Sequence, residues 1–408
     1  MVFRASRSLR SPSTLAVALG ATLALLGAAC GRGSGSPVEP SATSSVQSAA
    51  PPKAKPQDPL LTEGAAVYER YCQLCHAKDA TGYAADNAPS LVSKTYLESA
   101  TSDMIAAGIR MGRPGTAMAA YGKVRGGPLE EHQISALVSF LRSKGPVARA
   151  LPGLVPDGDL KRGAEVFEKN CQSCHGTPTT RGNAVHLHNP ELLAAASPAF
   201  LRFAVENGRP PTPMPPFAGK LSAQEITDVV SWLWSFRPPT AAPPVQNLTI
   251  PDNLPIVINP KGAKPKFTLR ENRFVSAEQV KKALEAKQRI VIIDARAPSD
   301  WIQFHIPGAI SGPYHDPNVL DKVPNDGTWV VAYCACPHHA SGEVVDALRA
   351  KKYPNTAVLD EGILFWKDHG YPLVGEAIPK AGPNSAASAG NKPPATPAKP
   401  VVAPKTAP

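Results

Sequence analysis

The chain has 408 residues, 45 of them proline and seven cysteine, with a formal net charge of +10. At roughly 150 residues per domain this length implies two to four domains, and the basic excess lies mainly in the two termini, so no folded segment carries the basic stripe that phosphate binding requires and nucleic-acid binding is excluded. The cysteines fall as one single residue, Cys30, and three close pairs, Cys72/Cys75, Cys171/Cys174 and Cys334/Cys336, which speaks for cofactor attachment, metal binding or redox work rather than a disulfide framework.

Residues 1–29 read as an export signal: Arg4, Arg7 and Arg10 precede an apolar run from Leu15 to Ala29 that closes on small residues. The run is shorter than the roughly 20 residues a bilayer span needs. It ends Leu26-Gly27-Ala28-Ala29-Cys30, which resembles the lipobox of bacterial lipoproteins, with the leucine one place further from the cysteine than that family prefers. The resemblance implies lipidation of Cys30 and a membrane anchor at the N-terminus; ordinary signal cleavage is the alternative. Residues 30–58, rich in Gly, Ser, Pro and Ala, follow as a flexible tether.

The next two segments, 59–146 and 153–238, repeat one another. Gly64-Ala-Ala-Val-Tyr-Glu-Arg-Tyr-Cys72-Gln-Leu-Cys75-His76 is echoed by Gly163-Ala-Glu-Val-Phe-Glu-Lys-Asn-Cys171-Gln-Ser-Cys174-His175. Gly112-Arg-Pro-Gly-Thr-Ala-Met118 aligns without gaps to Gly208-Arg-Pro-Pro-Thr-Pro-Met214, and each copy ends in a helical pattern with an aromatic, Phe140 or Trp232. Two cysteines at i and i+3 by a helix end share one face, at the spacing of the two vinyl groups of haem. A histidine directly after the second cysteine then lies beneath the iron, and C-x-x-C-H is the attachment pattern for c-type haem. A zinc site built from both pairs, or a thioredoxin-like dithiol, are the bland alternatives; neither calls for the histidine or the downstream methionine in both copies. Of Met104, Met111 and Met118 only Met118 has a methionine counterpart, Met214, and both sit in Gly/Pro-rich loops where a stiff backbone aims the sulfur. His132, His186 and His188 are the competing ligands.

These features resemble class I cytochrome c domains. The resemblance implies two small all-α domains, each with covalent haem c (iron) on Cys72, Cys75 and His76 or on Cys171, Cys174 and His175, and with Met118 or Met214 as the second axial ligand. His/Met ligation fills both axial positions and favours electron transfer at relatively high potential. It also implies that the first and last helices of each domain cross, Gly64 and Tyr68 meeting Phe140, and Gly163 and Phe167 meeting Trp232. Ala77 and Ala119 depart from the family's usual glycine and proline; Gly176 and Pro215 conform.

A Pro-rich linker, 239–268, leads to a segment of different rhythm at 269–376. Strands read at Arg289–Asp294, Thr328–Tyr333 and from Val358, and helices at Ser276–Ala286 and Gly342–Lys351, which implies an α/β domain with a parallel sheet. Ile293-Asp-Ala-Arg296, His305-Ile-Pro-Gly-Ala309 and the placement of Cys334 after the third strand resemble a rhodanese domain. The resemblance makes Cys334 the sulfur-carrying residue, in a loop that reads Cys334-Ala-Cys336-Pro-His338-His339-Ala-Ser341. His339 stands where the family has arginine, so the positive partner of a sulfur anion is weaker and pH-dependent. Cys336 offers a disulfide partner. Sulfurtransferase, thiol-redox site and degenerate docking module are the readings open for this domain. Residues 377–408, mostly Ala, Pro and Lys, lack the apolar surface to offset ordering entropy.

The expected protein is therefore multidomain, two small all-α cytochrome c domains followed by one α/β rhodanese-like domain. It is expected on the periplasmic side of a bacterial membrane, lipid-anchored, exchanging electrons with redox partner proteins.

Overall fold

The computed structural model describes residues 58–239, 249–335 and 338–378. The export signal, Cys30, Cys336 and the C-terminal tail lie outside the described residues. Among those described, no helix is long and apolar enough to cross a membrane.

Each cytochrome-like module is a set of helices wrapped around a helix crossing. In the first module helix Pro59–Tyr71 starts at Asp58, whose carboxylate accepts from the Leu60 N–H at 2.9 Å, with proline at the first turn, where its missing donor costs nothing. It packs against helix Glu131–Arg142, which opens on a capping box between Glu130 and Gln133. The second module repeats this with helix Leu160–Asn170, capped by Asp159, and helix Ala223–Ser235, capped by Ser222 and Glu225. The crossings follow from glycine. A Cβ on Gly64 would lie 2.2 Å from the Ala136 carbonyl oxygen, and one on Gly163 would lie 2.2 Å from that of Asp228. The close approach sets Tyr68 against Phe140 at 5.5 Å between ring centroids and Phe167 against Trp232 at 4.7 Å, tilted pairs worth about 0.5–1.5 kcal/mol each beyond their buried area. The pairing implied by the sequence is the pairing formed.

Asp228, at the second crossing, is fully buried. It accepts from the Asp159 N–H and the Gln224 amide and pairs with the Arg162 guanidinium. The Arg162 pairing comes first in holding its carboxyl down to about 2, below the usual carboxylate range. A depressed carboxylate stabilises the fold fully above the unfolded-state value near 4 and loses that contribution as pH falls toward 2. Asp228→Asn is expected to remove about 1–2 kcal/mol of stability at pH 7 and to flatten the pH 4-to-2 limb of the unfolding curve. Denaturant titrations at pH 7, 4 and 2.5 check this; an unchanged acid limb would contradict it.

The two modules pack through a pseudo-twofold interface. Helix Lys94–Ser99 of the first module meets helix Pro198–Asn207 of the second, and helix Ser102–Met111 meets helix Pro190–Ala195. Equivalent bonds close it from both sides: Ser93 Oγ donates to the Pro210 carbonyl at 3.0 Å, and Asn189 Nδ2 donates to the Pro114 carbonyl at 2.9 Å. Ser93 and Asn189 are the N-caps of corresponding helices, and Pro114 and Pro210 correspond in the repeat. An isologous contact of this kind is what duplication of one self-complementary module produces.

The third domain holds five parallel strands: β1 (Phe274–Val275), β2 (Ile290–Asp294), β3 (Ile310–Ser311), β4 (Trp329–Tyr333) and β5 (Thr356–Leu359), in the order β1-β5-β4-β2-β3. β2 is buried along its whole length, as a parallel strand covered on both faces must be. Helices Ala277–Glu285 and His339–Ala350 match the expected ones closely; Pro298–Gln303 and Gly362–Asp368 are additional. Within the Pro-rich linker, Ile258 pairs with Ile290 and Leu254, Ile256 and Val257 pack on the domain's core, so residues 254–258 are built into the domain.

Candidate haem-attachment sites and the Cys334 loop

In both modules the chain turns from the first helix into a one-turn helix, Gln73–His76 or Gln172–His175, directly after the first cysteine. The Cys75 N–H and His76 N–H both bond the Cys72 carbonyl, at 3.2 and 3.0 Å; Cys174 and His175 bond the Cys171 carbonyl at the same distances. Burial pushes the Cys72 and Cys171 thiols up, to about 12 and about 11. The histidines are fixed by their other ring nitrogen. His76 Nδ1 donates to the Pro89 carbonyl at 2.9 Å and His175 Nδ1 to the Val185 carbonyl at 2.6 Å. That bond sets the tautomer and leaves Nε2 with a lone pair, the arrangement of a metal-ligating imidazole. Burial pulls both histidines below their ordinary value, which keeps Nε2 unprotonated at neutral pH.

The methionine loops are built alike. Each preceding helix stops at a glycine of positive φ, Gly112 at +65° and Gly208 at +63°, where a Cβ would run into backbone 2.5 Å away. The Arg113 N–H then bonds the Met118 carbonyl at 2.8 Å, and the Arg209 N–H bonds that of Met214 at 3.0 Å. Thr116 and Thr212 hydroxyls accept from the methionine N–H groups. In the first module the Ala117 N–H bonds the Asp86 carboxylate, which ties the Met118 loop to the loop that follows His76.

Two arginines went unread in the sequence although both stand in the aligned repeat. Arg113 and Arg209 each lie five residues before the methionine, and burial pulls both below their ordinary range, Arg209 to about 10. Arg209 donates to the Thr95 carbonyl at 3.0 Å, but its Nη2 is buried with no partner. A buried guanidinium nitrogen without an acceptor is costly, and a carboxylate of a porphyrin is the kind of group that satisfies it. The donor set thus fits haem: paired cysteines, an oriented imidazole, a loop-held thioether and an unmet cationic donor. Of the competing ligands, His188 sits in an aromatic box with Phe167, Trp232 and Phe236 at 4.7–5.2 Å, and His132 is exposed beside Glu63. Among the described residues no three His, Cys, Asp or Glu side chains converge as a metal cluster.

In the third domain Cys334 follows β4, is 2% exposed, and places Sγ 3.2 Å from the Ser341 hydroxyl on helix His339–Ala350. His338 Nε2 reaches Asp360 Oδ1 at 2.9 Å, and His339 is exposed. The D-x-R pair is buried structure: Arg296 forks onto Asp294 at 2.9 and 2.7 Å, and the Tyr333 hydroxyl donates to the same carboxylate at 2.9 Å. The H-I-P-G-A turn is held by His305 Nδ1 on the Trp301 carbonyl at 2.7 Å.

Comparison with known proteins assigns the modules and the third domain to families. The family model described as cytochrome c oxidase, cbb3-type, subunit III matches residues 59–141 and 158–233, and the rhodanese-like domain model matches 276–369. Cytochrome c55X of Pseudomonas aeruginosa is 40% identical over 87 residues, 20% of this chain and 69% of that protein. The chain belongs to the c-type cytochromes. This cytochrome is also 30% identical over 186 residues to the cbb3-type oxidase subunit FixP of a Bradyrhizobium species, covering 42% of this chain and 60% of that one. It is 30% identical over 186 residues to the cytochrome bc1 complex cytochrome c subunit of Mycobacterium leprae, covering 43% and 61%. The cytochrome spans about half the length of the curated relatives it matches through both modules, from 46% to 62%. It therefore combines cytochrome c electron-transfer domains, which imply covalent haem c and redox partners, with a C-terminal rhodanese-like domain.

Proposed function

We propose that this cytochrome carries two haem c groups, on Cys72/Cys75/His76/Met118 and Cys171/Cys174/His175/Met214, and relays single electrons between protein partners. The observation that carries this is the duplicated site: both imidazoles are oriented by a backbone carbonyl at Nδ1, and both methionine loops share one hydrogen-bond pattern. Bound haem supplies a one-electron Fe(III)/Fe(II) couple at each site. The chain's own part is to hold Nε2 and the thioether sulfur, to shield them from water, and to place the modules in contact so that electrons pass between them. The N-terminal signal and Cys30 support export and lipid anchoring at a bacterial membrane.

The rhodanese-like domain retains Cys334 at a strand end, which supports handling of sulfane sulfur as a Cys334 persulfide. Its burial and its packing on the first module favour a second reading, a docking domain. Full-length protein incubated with thiosulfate separates them. Mass spectrometry is expected to find a sulfur adduct on Cys334 that Cys334→Ser lacks, and a clean Cys334 would leave docking as the role. For the relay itself, a redox titration is expected to show two one-electron steps; a single one-electron step would contradict it.

A further inference from the structure

The two attachment faces differ in what covers them. In the first module, Leu74, between the attachment cysteines, and Ala117, next to Met118, pack against the hydrophobic core of the third domain that includes Cys334. The Ser299 hydroxyl donates to the Ala120 carbonyl at 2.6 Å, the Tyr314 hydroxyl to the Tyr71 carbonyl at 3.0 Å, and the Arg70 guanidinium to the His315 carbonyl at 3.3 Å. The His315 ring rests on Tyr71 at 4.6 Å.

The repeat shows the same division. Leu74 in the first copy corresponds to Ser173 in the second, and Ala119-Ala120-Tyr121 corresponds to Pro215-Pro216-Phe217. Ala119 and Ala120 are buried at 4% and 3%, whereas Cys174, Ser173, Pro215 and Pro216 are exposed. The segment after Met118 is thus covered where its counterpart after Met214 is exposed, and the Ala120 carbonyl is a partner of Ser299.

We propose that the rhodanese-like domain seals the first module's attachment face, so that protein partners exchange electrons with this cytochrome through the second module, and the first haem communicates with them only by way of the second. This rests on the two-haem reading above. Thioether bonds to Cys75 and Cys174 would fix a porphyrin edge at each attachment face, and a protein needs that edge near the surface to exchange electrons with it. The exposed rim comprises Ser173 beside Cys174, Thr179 and Thr180 in the turn between Gly176 and Arg181, and Pro213, Pro215 and Pro216 flanking Met214 along the chain, none of them charged, while Arg181 is paired with Asp86 of the first module at 3.7 Å. The partner such a rim fits is a redox protein with an uncharged, partly apolar docking patch, and its rate should depend little on salt.

The test uses the full chain, with haem content counted first so that failure of the two-haem reading is seen separately as one haem per chain. Reduced protein is mixed with an oxidised blue-copper protein and, in parallel, with hexacyanoferrate(III). Ser173→Trp and, independently, Thr179→Trp are expected to slow oxidation of both haems by the copper protein about fivefold or more. Neither should change the hexacyanoferrate rate, and Lys78→Trp, on the exposed surface of the first module, should change neither rate by more than about twofold. Raising the salt tenfold should alter the wild-type rate less than about threefold. Slowing of half the absorbance change only, or slowing by Lys78→Trp in place of the second-module variants, would overturn the proposal.

Discussion

Gly163→Ala is expected to dismantle the second cytochrome c module, although it adds one methyl group. The added Cβ would lie 2.2 Å from the Asp228 carbonyl oxygen and 2.8 Å from Trp232 Cβ. The first of these is backbone in the middle of helix Ala223–Ser235 and cannot rotate aside, so the helices must part. Parting them loosens the Phe167–Trp232 contact and the pairing of Asp228 with Arg162 at once. A cost of about 3–5 kcal/mol is expected, at the diagnostic end of single-substitution effects. The measurement is denaturant unfolding together with haem content, which should fall toward one per chain. Gly153→Ala, where nothing lies within 4 Å of the added carbon, is the control and should leave both unchanged. A Gly163→Ala protein of wild-type stability would mean that the crossing is not the support of the site.

Met214→His is expected to lower the potential of one haem by on the order of 0.1–0.3 V, since methionine opposite histidine raises the potential and axial-ligand identity spans roughly 0.8 V. The loop is well placed to keep its shape: Arg209 and Thr212 hold the backbone amide and carbonyl of residue 214, and neither bond involves the replaced side chain. Potentiometric titration should show one step displaced and the other within error of wild type. Two unmoved steps would remove Met214 from the ligand set.

What the sequence disclosed and what it hid follow from the physics of each feature. The proposed attachment sites stand out in the sequence because covalent haem chemistry demands fixed spacing, and because duplication sets Met118 and Met214 in register while Met104 and Met111 have no counterpart. The helix crossings were legible through Gly64 and Gly163 for the same reason. The long buried strands β2 and β4 declared themselves by continuous apolar runs, whereas β1 and β3, two residues each, are too short to show any period. Arg113 and Arg209 were visible in the repeat, but an arginine in a polar loop carries no sign of burial until the modules pack, as Arg209 does against Thr95 and Tyr96 of the first. The packing of the third domain on the first module was the least legible. Contacts such as Ser299 to Ala120 join residues 179 positions apart and follow no pattern along the chain. Their only traces were the departure at Ala119 and the Leu74-for-Ser173 difference between the two copies, neither of which points to a covering domain until that domain is seen.

Electron relay through this chain requires iron porphyrin held covalently at both cysteine pairs. Denaturing mass spectrometry of protein matured in a host able to attach haem tests this most directly, with acid-acetone extraction alongside. The chain is expected to be heavier than its polypeptide by two haem groups, to keep its colour through extraction, and to lose one haem each in Cys75→Ser/Cys72→Ser and Cys174→Ser/Cys171→Ser double variants. A colourless chain, or pigment that passes into the solvent, would contradict it.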